Sequence, residues 1–91
     1  MDPQQEERRG EDAKRVLNED IYKEAWQVER ERIVIALETE TLTDAQVLDL
    51  RKDLLSLRRQ RRRLEHYMTT GTMAAMEIER KRKLLDRFKR A

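Results

Sequence analysis

Cysteine is absent from this chain, so no disulfide framework and no thiolate metal site can form, and an intracellular setting is the simpler expectation. Histidine occurs once, as His66, and a single His without a Cys or a carboxylate cluster beside it does not make a metal site. The aromatic content is low, with Tyr22, Trp26, Tyr67 and Phe88 as the whole inventory. Long apolar runs are missing: the longest is Ile33 to Leu37, far short of the ~20 residues of a membrane span. The hydrophilic opening MDPQQEERRG carries no signal-peptide core. There is no glycine-rich phosphate loop and no nucleophile–base constellation, and no carboxylate sits where a buried cleft would perturb it. An enzyme, a cofactor, a small-molecule substrate and a membrane partner are therefore not expected.

What the chain has instead is charge. Charged residues make up 44% of its 91 positions, against a usual ~25%. The net charge of +2 hides a split. Residues 1–42 hold seven Lys/Arg and twelve Asp/Glu, whereas residues 43–91 hold fourteen and seven. Acidic and basic segments that pair within or between chains are expected, with basic surface left over. A chain this short and this charged fits long exposed helices, and association between copies is the usual remedy for a thin core.

The clearest element lies between Thr43 and Gly71. Val47, Leu50, Leu54, Leu57, Arg61, Leu64 and Met68 alternate three and four apart, a heptad seam along one helix face. Thr43 with Gln46 reads as a capping box, Leu42 with Val47 as a hydrophobic staple, and Gly71 as the residue after the helix end. An earlier helix is expected over about 19–38, with Ile21, Ala25, Val28, Arg32 and Ile35 as its seam and Tyr22, Trp26, Ile33 and Leu37 broadening that face. The short link ETETLT between them predicts antiparallel neighbours. In that register Ile35 lies near Val47 and Ile21 near Arg61, which then pairs with Asp20 or Glu24 or snorkels to water. A third helix over about 73–90 is expected after a Thr72 cap. Residues 1–10 read as a disordered N-terminus bounded by Gly10. Residues 11–91 then form one helical domain, all-α, a coiled-coil-like antiparallel helical hairpin with a basic C-terminal helix.

Two basic runs carry the remaining signal. Arg58, Arg59, Arg61, Arg62 and Arg63 place five arginines in six positions, and arginine matches phosphate geometry. The bland alternative is a solvated face paired with the acidic half, and no aromatics interleave to stack bases. Arg80, Lys81, Arg82 and Lys83 form a second run, suited to nucleic acid or an acidic protein surface. Arg58, Arg59, Arg62, Arg63 and the 80–83 run are thus the candidate nucleic-acid residues. Tyr22, Trp26, Met68, Met73, Met76 and Phe88 are the candidate protein-contact residues, since Trp and Tyr are enriched at binding hot spots and Met adapts its shape. For Tyr22 and Trp26, packing inside the subunit is the competing reading. A helix-turn-helix over 42–62 is not supported, because its second helix is too long and too uniformly charged.

Two patches resemble a known group. They are Arg9-Gly10-Glu11-Asp12-Ala13-Lys14-Arg15-Val16-Leu17, followed by Ile21-Tyr22-Lys23-Glu24-Ala25-Trp26, and Leu64-Glu65-His66-Tyr67-Met68-Thr69-Thr70-Gly71-Thr72-Met73-Ala74. Together they resemble small helical proteins encoded with the head and DNA-packaging genes of tailed bacteriophages. The resemblance implies a non-enzymatic role in virion assembly or packaging and a place in the host-cell cytoplasm or the virion. It also implies partners among the head or packaging proteins, which add to the further copies of the chain that the thin core already leads one to expect. It carries over no catalytic residues. DNA binding as a packaging-motor subunit, and capture of a host protein, are the alternatives.

Overall fold

Asp2, Pro3 and Gln5 start the first helix together. The Asp2 carboxylate accepts the Gln5 backbone N–H at 2.9 Å, and the Gln5 side chain accepts the Asp2 N–H at 3.2 Å. Pro3 fills the first helical position, where its missing N–H has no partner to lose. The computed structural model describes residues 1–90, and its helices are α1 (Pro3–Asn18), α2 (Asp20–Leu37) and α3 (Asp44–Arg90). No strand occurs among the described residues, so the fold is all-α. Residues 3–10 are thus helical and not the disordered segment their polarity implies. The capping box supplies the start, and contact with α3 supplies the hold.

Glu19 alone separates α1 from α2. Its backbone is extended (φ −69°, ψ 129°), and its N–H donates back to the Val16 carbonyl. Residues 38–43 then turn the chain, and Thr43 caps α3 as its spacing predicts. The Thr43 hydroxyl accepts the Gln46 N–H at 3.2 Å, while the Gln46 side chain accepts the Thr43 N–H at 2.9 Å.

The expected break at Gly71 does not occur. α3 is one helix of 47 residues, about 70 Å at ~1.5 Å per residue, which accounts for most of the 75 Å long axis. There is no third helix starting at 73, and no glycine has a positive φ. The threonines around Gly71 are reconciled to the helix by back-bonding. The hydroxyls of Thr69, Thr70 and Thr72 donate to the carbonyls of Glu65, Tyr67 and Met68 at 3.1, 3.2 and 3.0 Å.

Both α1 and α2 lie along α3, α1 the more closely. The order of contacts runs oppositely in the two layers. Asp2, Pro3 and Gln4 line one groove with Ile78, Lys81, Arg82 and Leu85; Gly10 packs on Gly71; Tyr22 lines another groove with residues between Arg59 and His66. The radius of gyration is 20.4 Å, against about 12 Å for a compact domain of this length. The buried apolar residues are few: Ala13, Ile33 and Ala74.

Candidate interaction surfaces

The tightest contact is backbone on backbone. A Cβ added at Gly10 would lie 2.7 Å from the Gly71 Cα and 2.8 Å from the Tyr67 carbonyl oxygen. A Cβ at Gly71 would lie 2.7 Å from the Gly10 Cα and 3.0 Å from the Glu6 carbonyl oxygen. Both are buried, as are Ala13 and Ala74 three residues on. Glycine here serves close approach, not a turn. The signal was present in the seam: Leu64, Met68, Gly71, Ala75 and Ile78 continue the three–four spacing straight through the supposed stop.

One arginine–aromatic stack ties each short helix to α3. The Arg9 guanidinium of α1 lies 4.1 Å from the ring centre of Tyr67, and the Arg61 guanidinium of α3 lies 4.4 Å from that of Trp26 in α2. Each such stack contributes on the order of 0.5–2 kcal/mol. Arg61 also pairs with Glu65 of its own helix at 3.3 Å. It therefore meets neither Asp20 nor Glu24, and it does not simply reach into water, because the Trp26 ring occupies its near side. The Arg9 Nε and Trp26 Nε1 groups are buried without a hydrogen-bond partner. The Arg9–Tyr67 pair spans most of the chain and had no local signal.

The face that α2 turns to α3 differs from its expected seam. Ile33 is 1% exposed, with Tyr22, Trp26 and Leu37 half-buried around it. The stripe of Ile21, Ala25, Val28, Arg32 and Ile35 is instead exposed. Two three–four patterns coexist on α2, and the one with the larger aromatic surface takes the buried side. In α3, Leu50, Leu54, Leu57, Arg61, Leu64 and Met68 are half-buried as their seam predicts, whereas Val47 is exposed.

Of the candidate protein-contact residues, Tyr22, Trp26 and Met68 are half-buried. Tyr22 borders a groove with Arg59, Arg62, Arg63 and Leu64, Trp26 lies under Arg61, and Met68 lies beside Gly10 and Lys14. Met73, Met76 and Phe88 are exposed at 65, 68 and 78%. Arg58, Arg59, Arg62 and Arg63 are all exposed. Every ion pair among the described residues is local to one helix, at i,i+3 or i,i+4. None joins these four arginines to the acidic half. In the second run, Lys81 pairs with Glu77 at 3.2 Å and Arg82 with Glu79 at 3.0 Å, while Arg80 and Lys83 have no such pair.

On α2, the Arg32 guanidinium hydrogen-bonds Glu29 at 2.6 Å and holds its carboxyl below the usual carboxylate range. Among the described residues no cluster of three His, Cys, Asp or Glu is arranged to hold a metal ion, and no helix is long and apolar enough to cross a membrane. No known protein-family model, curated protein or solved structure matches the chain.

Proposed function

We propose that this protein is a non-enzymatic assembly protein that works by helix–helix contacts with other chains, in bacteriophage head or packaging assembly. In this reading the subunit is an antiparallel helical hairpin with coiled-coil-like seams. One observation carries the assembly reading. Ile21, Val28 and Ile35 stand seven residues apart on α2 and are 70, 59 and 66% exposed. An apolar heptad stripe of that kind is what a partner helix covers. The accessible surface of 7785 Å² points the same way, since a compact protein of this mass exposes about 5,700 Å². The phage setting, with action in the host-cell cytoplasm or virion, is supported by the resemblance of residues 9–26 and 64–74 alone.

The test is mass by sedimentation at low and high protein concentration. The wild-type chain is expected to form a defined oligomer, and Val28→Glu to leave a helical monomer. A wild-type chain that stays monomeric at high concentration, without any partner added, would sink the self-assembly form of this reading.

A second reading has its own observation: four exposed arginines, Arg58, Arg59, Arg62 and Arg63, outside every ion pair among the described residues. In this reading the chain is a DNA-binding subunit of a packaging complex. Duplex DNA affinity should then fall steeply with salt, with a log–log slope near −0.9 per phosphate contacted. Replacing all four by Gln should flatten that slope by roughly three to four. A slope that does not change would remove the arginine run from the interface.

A further inference from the structure

We propose that the outer face of α2 is covered by a second copy of this chain, and that the second copy presents residues 73–88 of its α3. This deepens the assembly reading above and rests on it. Two exposed apolar stripes exist, and they match in length. On α2 the stripe runs from Ile21 to Ile35, about 21 Å at ~1.5 Å per residue. On α3 the exposed Met73, Met76, Leu84 and Phe88 fall, at ~100° per residue, within one sector that spans about 22 Å. That sector is turned away from the side of Gly71, Ala74 and Ile78 that meets α1.

Charge decides how the stripes pair. The α2 stripe is edged by Glu24, Glu31 and Glu38 on one side and Glu29 on the other. Its basic neighbours Lys23 and Arg30 fall on the opposite side of the helix, and Arg32 is already held by Glu29 at 2.6 Å. The α3 stripe instead carries Arg80 and Arg87 within it, between Met76 and Leu84 and beside Phe88, and Lys83 at one edge, while its one carboxylate, Glu77, is already held by Lys81 at 3.2 Å. Two α2 faces brought together would oppose Glu with Glu, and two α3 faces would oppose cations. Only the mixed pairing sets the cations of one face against the carboxylates of the other, as charges beside an apolar seam do in choosing coiled-coil partners.

The two stripes of one molecule cannot meet. Tyr22 lines a groove with residues between Arg59 and His66 of α3, the α3 stripe begins at Met73, roughly 10 Å further along the same helix, and the α2 stripe is on the side of α2 away from the buried Ile33. The contact must therefore join different copies. Each copy then gives one face and receives the other, which is a heterologous interface that closes into a ring or continues as a chain.

The test uses two full-length variants, Val28→Glu with Ile35→Glu and Leu84→Lys with Phe88→Lys, each checked for wild-type helicity. Each variant alone is expected to be a monomer in sedimentation velocity, with association weakened at least about thirtyfold, the factor of a hot-spot loss. An equimolar mixture is expected to form a dimer, because one variant retains the α2 face and the other the α3 face. A surface-only version guards against misfolding: Glu24→Lys with Glu31→Lys disrupts assembly, and adding Arg80→Glu with Lys83→Glu in the same chain restores it. A Leu84→Lys, Phe88→Lys variant that assembles like wild type, beside a monomeric Val28→Glu, Ile35→Glu variant, would overturn this pairing while leaving assembly through α2 intact. A wild-type chain that is monomeric at low salt and high concentration would overturn both.

Discussion

A Gly71→Leu chain should lose the docking of α1 altogether. The Cβ alone would stand 2.7 Å from the Gly10 Cα, well inside the ~3.5–4.0 Å of a normal carbon contact. The obstacle is helix backbone, which cannot rotate aside as a side chain can. Even Gly71→Ala sets two effects against each other. It gains up to about 1 kcal/mol of helix propensity, and it forces two helices apart, which costs about 1–3 kcal/mol when packing is disrupted. The second effect prevails, because Ala13, Ala74 and the Arg9–Tyr67 stack all depend on the same close approach. With Leu no nearby arrangement remains. A freed α1 of 16 residues is marginal as an isolated helix, so about a fifth of the helical signal in circular dichroism should disappear. Limited proteolysis should then cut within residues 3–18 first. Gly10→Leu should reproduce the loss, and the double variant should be little worse than either. Wild-type helicity and protease resistance in Gly71→Leu would mean that the two backbones do not touch.

Ile33→Ala should be the costliest truncation in α2, and Ile35→Ala should be nearly silent in the isolated subunit. Ile33 is 1% exposed and Ile35 is 66% exposed. Removing a buried Ile side chain costs about 2–5 kcal/mol, a large share of the stability a chain with so few buried residues can have. An exposed truncation stays within ~0.5 kcal/mol. Denaturant midpoints, measured dilute enough that copies do not associate, separate the two. The reverse order would put the Ile21–Val28–Ile35 stripe back against α3 and remove the exposed face on which the proposed assembly depends.

That contrast marks where sequence reasoning stopped. The seam from Leu50 to Met68 and the Thr43–Gln46 cap were readable, because spacing and capping are properties of a few neighbouring residues. The rotation of α2 was not. Its two stripes have the same period, and only the contact with α3 selects Ile33 and Trp26 over Ile35 and Ala25. The glycines misled for a related reason. A glycine after a heptad run ends a helix more often than it lets another helix approach, and only the partner glycine resolves the ambiguity. The matching spacing of Gly10 to Ala13 and Gly71 to Ala74 was the available clue. The two readings of the arginine run separate only in the folded chain, where the ion pairs among the described residues are all local and none joins Arg58, Arg59, Arg62 or Arg63 to the acidic half.

The unbroken passage of α3 through Gly71 makes the subunit a measuring stick. Had the helix stopped there, the arginines near position 60 and the apolar residues near position 80 would swing independently. As one rod they keep a fixed separation, roughly 30 Å at ~1.5 Å per residue, and a fixed angle about a common axis. Whatever those two surfaces hold is held in step, and a single inserted residue between them would throw the two out of phase by ~100°.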